Sequence, residues 1–470
     1  MGSTGHLSPC HRVTVSPGHL LAAYVGLIVY GSLVPFHYES LPWEEALDRF
    51  RALPLYHLGL ASRSDLIANF LLYLPLGFLA MAAGGVGRAR RAELVIAPLV
   101  GALGAALSVA VEFVQLWFPG RTTSLNDVYA ESAGAGAGVL LWVAAGRPII
   151  GWLRELRLTS GTRQLAARLL PAYLIGLVII QAMPFDLTLS GRELAQKYRE
   201  GRIVLVPFTG PAQGFELLRQ TLWQVACFVP VGVLAAGRGQ RGWLGAFALG
   251  LGTAAFIAVV QLFVYTRTTD PGDLLTGTLA VLLGWSAVRA YQRMQQAAAS
   301  SRGQRDEIAS VTGHSSRRRG LRLALLAVWL GLAVVISWQP FDLDASAEAV
   351  ARKREELTLV PFADYYFGTD YNAFCQVLYK AAFFAPLGAL LTPGRAQAGP
   401  AVGVLVVLTA MLLAAGLEAG QLLLPSHSVS ISDVLVAGLG AGLGFALMRL
   451  APAALGSTDA ADGRQRERCR

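Results

Sequence analysis

The chain has 470 residues, 54% hydrophobic and 15% charged, with a mean hydropathy of +0.50. That is too little charge to cover the surface of a soluble protein. The net charge of +9 sits in particular connecting segments, so it reads as a topology signal of a membrane protein and not as a nucleic-acid surface. Cys10 and Cys469 lie in the tails and Cys227 and Cys375 in apolar segments, with no Cys-x-x-Cys, which argues against a disulfide framework or a zinc site.

A polar tail, residues 1–18, precedes the apolar run from Leu20 to Pro35, and no small-residue cleavage site follows it. The run is therefore expected to be a retained first span. Pro35-Phe36 closes it, and Pro184-Phe185-Asp186 and Pro340-Phe341-Asp342 close two later runs. A second run with an internal Pro-x-Gly follows each, at Pro75, Pro230 and Pro386. At the end of each third run stands a glutamine, Gln115, Gln261 or Gln421, with an aspartate twelve residues on, Asp127, Asp273 or Asp433. Six residues after each glutamine lies Arg121, Arg267 or His427. A spacing met three times marks an internal repeat.

The expected fold is an all-α polytopic membrane protein of about twelve transmembrane helices, arranged as three parallel four-helix repeats. Repeat 1 places spans near 20–35, 66–83, 94–118 and 127–145. Repeat 2 places them near 168–183, 219–237, 243–265 and 273–288, and repeat 3 near 321–338, 374–392, 400–424 and 433–450. Most approach the roughly twenty residues that cross hydrocarbon. The units are 19–146, 168–290 (degenerate) and 321–450, joined by a linker at 147–167 and a basic, flexible linker at 291–320, with a polar tail at 451–470.

Arg88, Arg90 and Arg91, then Arg238 and Arg241, then Arg395 lie between second and third spans, and the linkers are rich in arginine. These segments and both tails are expected on the cytoplasmic side. The loops after each Pro-Phe are mixed in sign or acidic and face outward with the Gln-to-Asp loops. Two of the former, Arg192 to Arg202 and Ala345 to Leu357, have helical patterns that suit amphipathic helices in the interface.

Glu112 and Gln115, and likewise Glu418 and Gln421, lie three apart and share one helix face. A carboxylate inside a span is costly and marks a candidate site, with Glu112 and Glu418 as candidate acid or base. Arg121 is the expected partner of Glu112 and Asp127. His427 takes that place in repeat 3, and a histidine can titrate near neutral pH. Repeat 2 has Ala258 where the glutamate would be. Asn69, Gln224 and Lys380 stand at one offset from their prolines, and Lys380 is a candidate partner of Glu418. A second reading stays open beside the first: Asp127, Asp273 and Asp433 fit helix N-caps, and the glutamines fit helix-to-helix hydrogen bonds. Gly134 and Gly138, Gly438 and Gly442, and Gly440 and Gly444 fit small-residue helix packing. No phosphate loop, dinucleotide fingerprint, His-Glu-x-x-His or nucleophile elbow occurs, and no cofactor is expected.

The run Asn69-Phe70-Leu71-Leu72-Tyr73-Leu74-Pro75-Leu76-Gly77, then Glu112-Phe113-Val114-Gln115, Gly120-Arg121 and Asp127, resembles the VanZ-like family, named for the teicoplanin-resistance protein of glycopeptide resistance clusters. The resemblance is strong in repeat 1, good in repeat 3 and degraded in repeat 2, so the chain looks like three fused units. It matches Asn69, Glu112, Gln115, Arg121, Asp127, Glu418, Gln421 and Asp433 to motif positions. The asparagine common four residues after the aspartate is Glu131 here, and Gly277 and Ala437 in the other repeats. The resemblance implies a bacterial plasma-membrane protein with a role at the cell envelope. Its expected partners are the lipid bilayer and an envelope lipid or cell-wall precursor, met by a site of Asn69, Gln115, Arg121, Asp127, Gln261, Arg267, Asp273, Lys380, Gln421, His427 and Asp433 around the two glutamates. A transporter or flippase, or a membrane scaffold, are the alternatives.

Overall fold

A computed structural model describes residues 16–56, 59–159, 161–188, 190–210, 213–240, 242–302, 310–355, 360–366, 370–393 and 398–450. Most of both tails, with Arg241 and Arg395 of the expected charge pattern, lies outside the described residues. Repeat 1 contains α1 (Pro17–Leu33), α2 (Trp43–Arg51), α3 (Leu60–Gly85), α4 (Arg90–Gln115) and α5 (Leu125–Leu141), which runs through a π-helical turn at Trp142–Gly146 into α6 (Arg147–Leu158). Repeat 2 contains α7 (Thr162–Ala182), α8 (Gly191–Arg199), α9 (Gly214–Gly237), α10 (Trp243–Leu262) and α11 (Pro271–Arg302). Repeat 3 contains α12 (Ser310–Trp338), α13 (Ala347–Glu355), α14 (Asp370–Leu391), α15 (Pro400–Gln421) and α16 (Ile431–Leu450).

Among the described residues, ten helices are long and apolar enough to cross a membrane. The first helices of repeats 1 and 3 carry shorter apolar stretches, Pro17–Leu33 and Arg322–Trp338. The chain is thus a multi-pass helical membrane protein. Two compact units emerge, one of Met1–Leu58 with Asp65–Gly151, the other of Gly59–Ser64 with Trp152–Arg470. Of the stretch expected as a flexible linker, 291–302 and 310–320 are helical, as parts of α11 and α12, and 303–309 lies outside the described residues. Its Ala, Gln and Arg residues are good helix formers.

The core of each repeat is a close crossing of its second and fourth long helices. A methyl added at Gly134 or Gly138 would fall 2.1 Å from the Phe70 or Leu74 carbonyl oxygen. In repeat 2, one at Gly232 would fall 1.9 Å from the Val281 oxygen, and in repeat 3 one at Gly440 would fall 2.3 Å from that of Ala381. Gly438 and Gly442 instead face side chains of α15, Met411 and Val407. Backbones this close rely on glycine, since lipid-embedded helices associate by packing and not by hydrophobic expulsion.

The first and third long helices are tied by a bond that recurs in register. The amide four residues after the Pro of each Pro-Phe pair donates to the carbonyl two residues after the repeat's glutamine: Glu39 to Trp117 at 2.9 Å, Thr188 to Phe263 at 2.8 Å, and Asp344 to Leu423 at 2.8 Å. Phe36, Phe185 and Phe341 turn the chain toward this bond in the left-handed region, with φ of 63° to 65°, a conformation unusual for a bulky residue. The aspartate of Pro-Phe-Asp adds a second tie. Asp186 accepts from Thr266 N and Oγ1, and Asp342 from Ser426 N and Oγ. Burial raises the Asp186 carboxyl above its ordinary range, with the Thr266 bonds acting against it.

All three loops after Pro-Phe hold a nine-residue helix, α2, α8 and α13, where the sequence pattern had pointed to two. The signal in α2 is short but present: Trp43, Ala46, Leu47 and Phe50 stand at i, i+3, i+4 and i+7, on one helix face. Helix α8 begins with a capping box at Ser190 and Glu193. It is pinned by Lys197, 0% exposed, which donates to the carbonyls of Gln261, Leu262 and Val264 at 2.6, 3.1 and 2.6 Å. These carbonyls lie at the C-terminal end of α10, where a cation is favoured.

Candidate functional site

In repeat 1, three helices bring polar side chains together. Glu112, 2% exposed near the end of α4, accepts the Ser124 amide on Oε2 at 3.2 Å. Ser124 is the N-cap of α5, its hydroxyl accepting from Asp127 N at 3.2 Å and donating to Asp127 Oδ2 at 2.6 Å. Asn69, from the interior of α3, donates through Nδ2 to Asp127 Oδ1 at 2.6 Å. Buried Glu131 lies one turn further along α5. The aspartate expected as N-cap is therefore the third residue of the helix, and the serine before it is the cap. This arrangement satisfies a free amide and places the acid where the helix dipole favours it.

Repeat 3 rebuilds this cluster with one exchange of charge. Glu418 Oε2 accepts Ser430 N at 2.7 Å, and Asp433 N donates to Ser430 Oγ at 3.4 Å. Lys380, expected opposite Glu418, instead pairs with Asp433 Oδ1. The lysine takes the place of Asn69, whose partner is the equivalent aspartate. The same oxygen accepts from Tyr365 Oη at 2.5 Å, and the Lys380 ammonium lies 4.7 Å from the Tyr365 ring centre. Burial and then the Asp433 charge raise the Tyr365 hydroxyl above its ordinary value. Nothing in the sequence pattern singled out Tyr365, which comes from the loop before α14. His427 Nδ1 meets Ser426 Oγ at 2.9 Å, and its carbonyl accepts from Lys353.

Repeat 2 retains the frame without the acids' arrangement. With Ala258 in place of a glutamate, Gln224 Nε2 donates to the Asp273 backbone oxygen at 2.6 Å and Gln224 Oε1 accepts from Thr276 Oγ1 at 2.9 Å. Asp270 stands where the serine cap stands elsewhere and accepts the amides of Phe208 and Gly272. Arg267 turns to the end of α7, donating to Met183 O at 2.5 Å and Ile180 O at 3.4 Å.

The three glutamines lie beside these clusters in one structural role. Gln115, Gln261 and Gln421 donate through Nε2 to the carbonyls of Ser32, Gln181 and Ser337 at 2.9, 3.3 and 3.1 Å. Each acceptor is the third residue before the proline of its Pro-Phe pair. The α-helical donor to each of these carbonyls would be the amide of the Phe in Pro-Phe, but Phe36, Phe185 and Phe341 donate instead to Leu33, Ala182 and Trp338, so the glutamine supplies a donor that the backbone lacks. Among the described residues, no group of three His, Cys, Asp or Glu side chains is arranged to hold a metal ion.

The VanZ/LLP1 family profile matches three times, over residues 19–146, 170–292 and 323–452. The chain belongs to the VanZ/LLP1 family. It carries three VanZ-type units in tandem, one for each structural repeat. No curated protein and no solved structure matches the chain.

Proposed function

We propose that this VanZ-type protein resides in a bacterial plasma membrane and uses the clusters of repeats 1 and 3, opening outward, to bind or act on an envelope lipid or cell-wall precursor, and so alters how a glycopeptide such as teicoplanin meets its target. The observation carrying this reading is the pairing of Glu112 with the cap of α5 and of Glu418 with the cap of α16. In both, a buried carboxyl accepts the amide of the serine whose hydroxyl in turn accepts the Asp127 or Asp433 amide. Acids linked in this way handle protons, and a guanidinium such as that of Arg121 holds an anionic group like a phosphate. Helix packing alone does not need these acids, because repeat 2 packs the same way without its glutamate. Under this reading repeat 2 is structural.

The test is Glu112→Gln and Glu418→Gln, singly and together, in a teicoplanin-sensitive bacterium expressing the full chain. The expected result is that the double variant loses the change in susceptibility conferred by the wild type while purifying as the same monodisperse species. Full retention of the phenotype in the double variant would remove both clusters from the mechanism and favour a scaffold.

A further inference from the structure

The end of repeat 2 opposite its polar cluster holds a cavity of about 600 Å³ lined by Arg163, Gln164, Ala167, Arg238, Gly239 and Gln240. Two arginines are among its lining residues, and no acid of the described residues is. Arg163 Nε donates to the Arg238 carbonyl at 3.1 Å, and its other N–H groups have no partner among the described residues. Gly239, at φ +105°, reverses the chain beneath that guanidinium, where an added methyl would lie 3.2 Å from Arg163 Nε. Helices α7 and α10 both start at this edge, with Gly161 and Gly242 as N-caps, no side-chain cap and no acid in the first turn. Their orphan amides add to the positive field of the arginines.

Repeat 1 shows what the same chain does when it satisfies such an arginine itself. Arg147 Nη2 donates to the Arg88 carbonyl of the equivalent turn at 3.2 Å and meets the Glu93 carboxylate at 3.3 Å. Glu93 is 5% exposed, an acid buried to serve that pair. In repeat 2 the equivalent turn is met instead by Arg163 at the start of α7, and no carboxylate of the described residues lines the cavity. The level in the membrane is marked by Trp243, 58% exposed at the start of α10, and by Trp285, whose Nε1 donates to Gln240 O at 2.9 Å. Tryptophans of this kind sit at the headgroup layer. An anion reaching two arginines there is most readily a lipid phosphate, since basic pockets between helices on the positively charged face suit anionic headgroups.

We infer that this cavity binds the phosphate of an anionic phospholipid headgroup between Arg163 and Arg238. The chemistry is shared with free phosphate, so the experiment separates the two sources. Full-length protein in neutral detergent is titrated with phosphatidylglycerol, with phosphatidylcholine and with inorganic phosphate, and the midpoint of thermal unfolding is followed at low and high salt. A ligand that binds only the folded state raises that midpoint. Phosphatidylglycerol is expected to raise it in a salt-sensitive way, with little response to the other two. Arg238→Gln, which breaks no hydrogen bond of the described residues, is expected to raise the half-saturating lipid concentration about tenfold. Arg163→Gln is expected to act in the same direction from a lower starting midpoint, because it also loses the Arg238 carbonyl. Equal stabilisation by inorganic phosphate would overturn the lipid assignment. An equal response to phosphatidylcholine, or an undiminished response in Arg238→Gln, would overturn the site.

Discussion

Lys380 in α14 donates to the Asp433 carboxylate in α16, at the place where Asn69 in α3 donates to Asp127 in α5. One repeat thus meets its aspartate with a cation and another with a neutral amide on the same scaffold. Both partners in repeat 3 are partly exposed, so the pair is screened more than a fully buried one. Lys380→Met is expected to destabilise the protein by about 1–2 kcal/mol, and Lys380→Met with Asp433→Asn to recover most of that loss. A double-mutant cycle on thermal unfolding in detergent measures it. Additive losses would show that the two groups do not interact.

The glutamine clamp predicts an effect independent of chemistry. Gln115→Leu, Gln261→Leu and Gln421→Leu each remove a donor to a helix-end carbonyl. Each should cost about 0.6–1.7 kcal/mol, the range for hydrogen bonds between membrane helices. Because repeat 2 lacks the glutamate, Gln261→Leu should lower the unfolding midpoint without any functional change. A functional loss there with normal stability would restore the glutamine to the site.

The glycine crossings predict a sharp positional contrast. Gly134→Leu would force side-chain atoms into the Phe70 backbone, whereas nothing lies within 4 Å of a methyl at Gly136. Gly134→Leu is expected to abolish recovery of monodisperse protein and Gly136→Ala to leave it unchanged, as read by size-exclusion profile. Normal recovery of Gly134→Leu would mean that α3 and α5 do not cross this closely.

Much of this architecture was legible in the sequence because its devices are local and periodic. Pro-Phe and the twelve-residue Gln-to-Asp spacing mark the ends of helices and correspond to bonds that recur in the structure, while Pro-x-Gly lies inside each second long helix and marks its close crossing with the fourth. The pairing of side chains was less legible. Lys380 and Asp433 are separated by a whole helix, and a choice between Glu418 and Asp433 depends on helix rotation, which spacing alone does not set. Ser124 and Ser430 are less legible than the aspartates, because either residue type suits a helix start and only the bonds show that the serine is the cap and the acid three residues on is inside the helix. Lys197 lay in a polar loop helix, where a lysine ordinarily faces water.

That lysine has a consequence in pH. Burial lowers its pKa from 10.5 to about 8, while nearby Asp186 acts in the opposite direction. Between these values the unfolded chain binds the proton more often than the folded one, so folding stability contributed by Lys197 rises with pH across that window. The stability difference between wild type and Lys197→Met should therefore shift in favour of wild type from about pH 8 to about pH 10.5. Chemical denaturation at stepped pH reads it. A difference that stays flat would mean that the amine keeps its ordinary value.

Orientation decides whether the carboxylate clusters meet the envelope or the cytoplasm. The turn carrying Arg88, Arg90 and Arg91 and the turn carrying Arg238 lie at the opposite helix ends from the clusters of their own repeats, and arginine-rich short loops stay on the cytoplasmic side. Single cysteines at Thr122 and Ser428, both exposed in Gln-to-Asp loops, are expected to react with a membrane-impermeant thiol reagent on intact cells, while one at exposed Arg90 is not. The background must lack Cys10, Cys227, Cys375 and Cys469. The reverse pattern would place Glu112 and Glu418 at the cytoplasmic face. A cell-wall precursor outside the membrane would then be out of reach of both, whatever their effect on susceptibility, and the arginine-lined cavity of repeat 2 would face the outer leaflet.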